Sequence, residues 1–343
     1  MLTDDDLQAA ADAGVISQHQ ATDLRNFIAD RNTLSDAAGP GEERFAFYRG
    51  FNDIFIAIGV ALLGAGLFLL LVYSASLVPA LIIAFVVAWG LAEFLTGRMR
   101  LVLSSILLAI AITSIGATLV AIIGAGLSKF SQVDVANIWW IFSAPVVASI
   151  HYLRFRLPFS LLIITATATG TVLVALHKFA PGQADDLTTV VIFIGGIASF
   201  AAAMMFDLKD PGRTSRFSDC AFWLHLIAAP MIVHPLVSWL VPNLKQLDGA
   251  GAASILIVTL VVACIALLVD RRAMLVSSLI YAGTAIGYTL RQTEAESNMV
   301  LIITLGILGL AVILLGAGWA PARTLVLKAV PSSLLPYFVR QDS

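Results

Sequence analysis

Along most of this chain apolar residues do not alternate with polar ones; they run on. The stretch IFIAIGVALLGAGLFLLLVY from Ile54 to Tyr73 is apolar on every side, and comparable runs begin near Leu77, Leu101, Val135, Leu157, Leu187, Cys220, Ala250, Ala273 and Asn298. About 18 or more apolar residues match the hydrocarbon thickness of a bilayer when helical, and a helix satisfies its own backbone in lipid. The short alternating segments of a β-barrel are not seen. The pattern therefore predicts an all-α, polytopic membrane protein with about ten transmembrane helices.

Charge orients these helices, because short loops rich in Lys and Arg stay in the cytosol. With the N-terminus inside, sixteen of the 20 Lys and Arg residues fall on the cytosolic side, and Lys129, Lys178, Lys245 and Arg291 fall on the other. Both termini are expected to be cytosolic. The inside turns begin at Arg98, Arg154, Arg213 and Arg271, which spaces them 56, 59 and 58 residues apart. RMRLVLS at Arg98, RFRLPFS at Arg154 and RRAMLVSS at Arg271 look like copies of one another. Like-oriented hairpins produce this rhythm in two ways, by internal duplication or by the positive-inside rule acting on evenly sized hairpins.

Outside the membrane domain, residues 54–319, there is little chain. Residues 1–32 read as a cytosolic helical hairpin: Thr3 caps a first helix that Gly14 ends, Leu2 and Leu7 stand at staple positions, and Ser17 with Gln20 forms a capping box for a second. Leu7, Val15, Ile16, Leu24, Phe27 and Ile28 give the hairpin an apolar side too small to form a core alone. Residues 33–53 form a linker and juxtamembrane segment, and residues 320–343 a cytosolic tail. The first apolar run is expected to be retained as a signal anchor, since no positively charged leader precedes it. The segments DAGVISQHQATDL, RGFNDIFIAIGVALLGAGL, AEFLTGRMRLVL and DRRAMLVSSLIYAGTAIGY resemble a bacterial inner-membrane family, domain of unknown function 2157. The resemblance implies an inner-membrane location with a small cytosolic head, and brings no activity.

At 59% hydrophobic and 12% charged residues the chain has few groups for chemistry. Its acids avoid mid-depth. Asp53, Glu93, Asp207 and Asp270 fall at cytosolic helix ends beside the arginine turns, and Asp53, Glu93, Arg98, Asp270 and Arg271 make a candidate charged ring for an anionic head group, against ordinary interfacial pairing. Two hydroxyl-rich features reach mid-depth: Thr165, Thr167, Thr169 and Thr171 on the fifth helix, and Ser277, Tyr281, Thr284 and Tyr288 along one stripe of the ninth. They are candidate substrate-lining groups, with interhelical packing as the competing reading. The LLGAG, IIGAG and LLGAG segments at Leu62, Ile122 and Leu314 read as close-packing surfaces. Histidine spacing suits no metal, so no metal or cofactor is expected. Cys220 and Cys264 read as core residues, and Trp139, Trp140, Trp223, Trp239 and Trp319 as interfacial anchors. No catalytic cluster, phosphate loop or nucleic-acid surface is visible.

Two functions fit: a transporter or permease-like protein for a small neutral or lipid-linked molecule, and a non-transporting scaffold or sensor. Besides the lipid bilayer, the expected partner is a protein or a second copy of this chain, engaged through residues 1–32.

Overall fold

The computed structural model describes residues 4–24, 51–73, 76–127, 133–213, 215–242, 247–291 and 297–331, and no strand occurs among them. The chain divides into two compact units, Met1–Phe45 and Ala46–Ser343. In the first, α1 (Asp4–Asp12) ends at Gly14, whose φ of 71° is the left-handed conformation that glycine adopts without a Cβ penalty. A second helix, α2, begins at residue 18 and is described to residue 24. The expected capping box is present: the Ser17 N–H donates to Gln20 Oε1 at 2.9 Å and the Gln20 N–H to Ser17 Oγ at 3.1 Å. Thr3, Leu2, Phe27 and Ile28 lie outside the described residues.

The second unit is a helical bundle: α3 (Phe51–Tyr73), α4 (Leu77–Ala92) extended by a π-helical turn (Glu93–Arg98), α5 (Val102–Leu127), α6 (Val133–Phe155), α7 (Phe159–Phe179), α8 (Pro181–Lys209), α9 (Arg216–Leu240), α10 (Gly249–Val269), a 3₁₀ turn (Arg272–Met274), α11 (Leu275–Arg291), α12 (Ser297–Ala317) and α13 (Trp319–Lys328). Among the described residues eight helices are long and apolar enough to cross a membrane: α3, α4 with its π turn, α5, α7, α8, α9, α10 and α12. Two of the expected spans fall outside that set. They are α6 and α11, the latter with 17 residues. Trp319–Lys328, mostly within the expected tail, is a helix whose Ala322 and Val326 pack on a core that includes Ala229, Ala266 and Met274.

Successive helices pack on one another, with α9 at the centre against α7, α8, α10 and α11. Its span is 56% buried, whereas α3 is 11% and α12 6%, which leaves the two outer helices almost wholly to lipid. Close approach comes from small residues. A Cβ on Gly196 of α8 would stand 2.9 Å from the Met231 backbone of α9, and one on Gly124 of α5 would meet the Trp139 ring at 2.7 Å. The three GAG segments thus differ. Gly124 is close-packed as expected, but Gly64, Gly66 and Gly316 meet nothing within 4 Å, and Gly64 instead borders a cleft between α3, α4 and α5. Trp223 and Trp319 also depart from the anchor expectation: both are buried, Trp223 with its ring edge-on to Phe159 at 4.7 Å.

The arginine turns share a backbone conformation. Among the described residues Arg100, Arg156, Arg213 and Asp270 are the non-glycine residues with positive φ, between 53° and 60°, and they recur 56, 57 and 57 residues apart. This interval is steadier than the arginine spacing, since in the fourth turn the left-handed position is the aspartate before Arg271. Each such residue lies in the turn between two helices, where a left-handed backbone lets the chain re-enter the bundle.

Asp53 secures the first of these re-entries. The carboxylate, from the start of α3, is 1% exposed and accepts from the backbone N–H groups of Val102, Leu103 and Ser104 at 3.1, 3.3 and 3.5 Å and from Ser104 Oγ at 3.2 Å. It caps α5 from another helix, where the orphan amides and the helix dipole both favour an anion. Asp53→Ala leaves those buried donors unpaired and is expected to destabilise by about 2–3 kcal/mol. Thermal unfolding of purified protein in mild detergent should rank wild type above Asp53→Asn, which keeps one acceptor, and Asp53→Asn above Asp53→Ala.

Candidate functional site

The polar groups of the bundle concentrate at the arginine end, and the third and fourth turns exchange charges there. Asp207, on the last turn of α8, pairs with Arg271 at the entry to α11: its Oδ1 accepts from Nη2, and its Oδ2 lies 3.4 Å from Nε. Arg271 is 1% exposed and also donates to Ser218 Oγ at 3.2 Å. His225 of α9 is fully buried, with Nε2 2.9 Å from Asp207 Oδ2 and Nδ1 without a hydrogen-bond partner among the described residues. With the ring proton on Nε2, the imidazole donates to the carboxylate, so Asp207 is held from two sides.

The return pair runs the other way. Arg213, in the third turn, places Nη1 3.2 Å from Asp270 Oδ2, while its Nη2 donates to the Asp270 carbonyl at 2.9 Å and the Val269 carbonyl at 3.3 Å. A guanidinium on the last carbonyls of α10 completes a helix C-terminus and opposes its dipole. Asp270 Oδ1 accepts from Trp319 Nε1 at 2.6 Å and lies 3.8 Å from Arg323 Nε, which ties α13 to the same turn. Each turn thus gives the other one carboxylate and one guanidinium, and the result is a crossed clasp joining α8, α9, α10, α11 and α13.

The first two turns are joined differently. Glu93 and Arg154 meet at 2.6 Å with side chains 37% and 56% exposed, a surface pair worth little in water. Arg98, Arg100 and Arg156 are exposed. All five residues of the expected charged ring therefore lie at one end of the bundle, but Asp53 bonds helix amides, Glu93 bonds Arg154, Asp270 and Arg271 belong to the clasp, and Arg98 faces outward. Arg213, Ser218, His225 and Trp319 complete the clasp, and no local motif announces them.

The mid-depth hydroxyls are largely engaged. Thr167 Oγ1 donates to the Ile163 carbonyl at 2.7 Å, Thr171 Oγ1 to the Thr167 carbonyl at 2.9 Å, and Thr284 Oγ1 to the Tyr281 carbonyl at 2.7 Å. Bonds of this kind to the helix's own carbonyls satisfy a hydroxyl without any solvent. Thr169 of α7 sits beside Gly195 of α8, where an added Cβ would come within 3.0 Å of its Oγ1, and Thr165 is half-buried. The Tyr281 hydroxyl lies 2.5 Å from His234 Nδ1, linking α11 to α9, and Tyr288 packs on the cluster formed by Val233, Val237 and Ile255. Ser277 Oγ is buried without a partner among the described residues.

A cavity lies elsewhere. A cleft of about 200 Å³ opens between α3, α4 and α5, lined by Val60, Gly64, Phe68, Ala88, Leu108 and Ser114 among others. Its walls are almost wholly apolar, and two of the lining side chains, Leu63 and Phe68 of α3, are exposed.

Removing one partner from a buried ion pair strands the other charge, whereas replacing both with apolar groups is often neutral. Arg271→Met and Asp207→Leu are each expected to cost about 3–5 kcal/mol, the double substitution much less than their sum, and Glu93→Gln under about 1 kcal/mol. Denaturant unfolding of the four variants as a double-mutant cycle with a surface control measures this. Compared with family models, with curated proteins and with solved structures, the chain finds no match.

Proposed function

We propose that this chain is a multi-pass protein of a bacterial inner membrane with ten spans and both termini cytosolic, and that it acts as a permease-like protein for a lipid-linked molecule. The orientation rests on the distribution of Lys and Arg, sixteen against four. The resemblance to domain of unknown function 2157 belongs to the same proposal. The two helices outside the clearly spanning set, α6 and α11, lie between spanning neighbours, and counting them as spans keeps every arginine turn on one side.

The observation that carries the substrate class is the cleft between α3, α4 and α5. An apolar hollow on the lipid-facing side of a bundle suits an acyl or isoprenoid chain, which it receives at no cost in desolvated polar groups. The mid-depth hydroxyls favour this class over a small polar solute, because Thr167, Thr171 and Thr284 already bond their own helices. A scaffold or sensor is the second reading. It is favoured by the N-terminal unit, where Val15 is 76% exposed and Leu24 41%, apolar surface suited to a protein partner.

Reporter fusions after Arg100 and Arg156 should score cytosolic and a fusion after Lys178 periplasmic; the inverse pattern overturns the orientation. For the substrate class, a phospholipid with a photoactivatable acyl chain is expected to label 60–68, 84–91 and 108–115 in reconstituted protein. Gly64→Phe should suppress that labelling without unfolding the bundle, since a Cβ there meets nothing within 4 Å. Dithionite quenching of fluorescent lipid in proteoliposomes measures translocation. Faster exchange by wild type than by Gly64→Phe supports the permease, and labelling without exchange supports the scaffold.

A further inference from the structure

The clasp is uneven in charge where α13 joins it. Asp270 draws two guanidinium groups, Arg213 with Nη1 3.2 Å from Oδ2 and Arg323 with Nε 3.8 Å from Oδ1, the second too long for a hydrogen bond. Oδ1 instead accepts from the Trp319 indole N–H at 2.6 Å. A third guanidinium lies against that indole, the Arg272 carbon standing 5.3 Å from the ring centroid. Arg323 follows Trp319 by four residues on α13, which sets both on one face of the helix. Arg213, Arg272 and Arg323 are thus tied, contact by contact, to one carboxylate and one indole. Asp207 does not redress the balance, because it is matched to Arg271.

Three cations about one anion repel one another, and more strongly where protein excludes water. Arg213 is mostly buried with Asp270, so the surplus charge falls on Arg272, which is exposed, and Arg323, which is half-buried. An anion with several oxygens offsets it. A phosphate accepts from two planar guanidinium forks at once, and the five donors of each fork exceed what one carboxylate oxygen takes. The setting favours a lipid as its bearer. Gly318 alone separates α13 from α12, whose span is only 6% buried, so α13 begins where a lipid-facing helix ends. Leu325 of α13 is 74% exposed, and an apolar side chain beside arginines at a helix end suits the boundary between acyl chains and head groups. We propose that Arg272 and Arg323, gathered about Trp319, form a binding site for a phosphate group, carried by an anionic lipid of the leaflet on the arginine side. The site lies at α13 and does not depend on the cleft among α3, α4 and α5, so the two ideas fail separately.

The test titrates detergent-solubilised full-length protein with phosphatidylglycerol, phosphatidylcholine and inorganic phosphate, and reads bound lipid by native mass spectrometry. Wild type is expected to retain phosphatidylglycerol over phosphatidylcholine. Arg272→Gln combined with Arg323→Gln should weaken that binding about tenfold, as expected for two charge-assisted contacts at a partly exposed site. Arg272→Gln alone, at an exposed side chain, is expected to lose about threefold and covers the case in which the double variant loosens α13. Lys328 is an exposed cation of the same helix, nine residues beyond Trp319 and so on its opposite side, and Lys328→Gln should change nothing. Resistance of bound phosphatidylglycerol to millimolar inorganic phosphate supports the lipid, whereas displacement reassigns the site to free phosphate and overturns the lipid. Unchanged binding in both arginine variants, equal loss in Lys328→Gln, equal retention of the two lipids, or no binding by wild type overturns the site itself.

Discussion

A helix that ends inside a bundle leaves backbone amides or carbonyls without partners, and in a chain this apolar few side chains can supply them. That constraint organises the arginine end. Asp53 closes the start of α5 with one carboxylate, and Arg213 closes the end of α10 with one guanidinium. In both places a charge that would be costly in an apolar interior gains from the helix dipole and from several hydrogen bonds at once. The charged residues retained here thus act on the backbone as well as on one another.

The crossed clasp extends the same logic between turns. Asp207 with Arg271 and Arg213 with Asp270 join the carboxyl-terminal helices through groups that are mostly buried, while the amino-terminal half relies on the cap at Asp53 and the exposed Glu93–Arg154 pair. Buried ion pairs are weak stabilisers compared with apolar packing, but breaking one by removing a single partner is costly. Glycine and serine permit close approach at the clasp, as at Gly196 and where Ser199 Oγ donates to the Leu224 carbonyl at 3.1 Å, and equally between α5 and α6, as at Gly124. By contrast α3 stands off from its neighbours along the cleft. The hollow thus lies in the half without a clasp, beside α3, while α5 and α6 of that half pack closely.

The arginine turns link these halves through one backbone device used four times. A left-handed residue reverses the chain at regular intervals, but what its side chain meets differs. Arg213 meets Asp270, Asp270 meets Arg213 and Trp319, and Arg100 and Arg156 face outward. A repeated geometry with unequal partners separates positions that close the fold from positions left open to something outside it. Regularity of this kind suits either origin of the rhythm, duplication or evenly sized hairpins.

Helical character, the apolar segments and the placing of acids at one end were legible in the sequence, because hydrophobic run length and charge position are local properties that the bilayer reads directly. So was the Ser17–Gln20 capping box, whose partners are three residues apart. The partners in the clasp were not. Asp207 and Arg271 are 64 residues apart, His225 and Trp319 carry no spacing signal, and whether Asp53 meets an arginine or a helix end depends on which helix packs beside it. For the same reason three near-identical GAG segments gave one packed surface and two exposed ones. Sequence determined what each segment could tolerate; tertiary packing decided which neighbour each polar group found, since an apolar helix can bury almost any of its faces and only the arrangement of the others selects one.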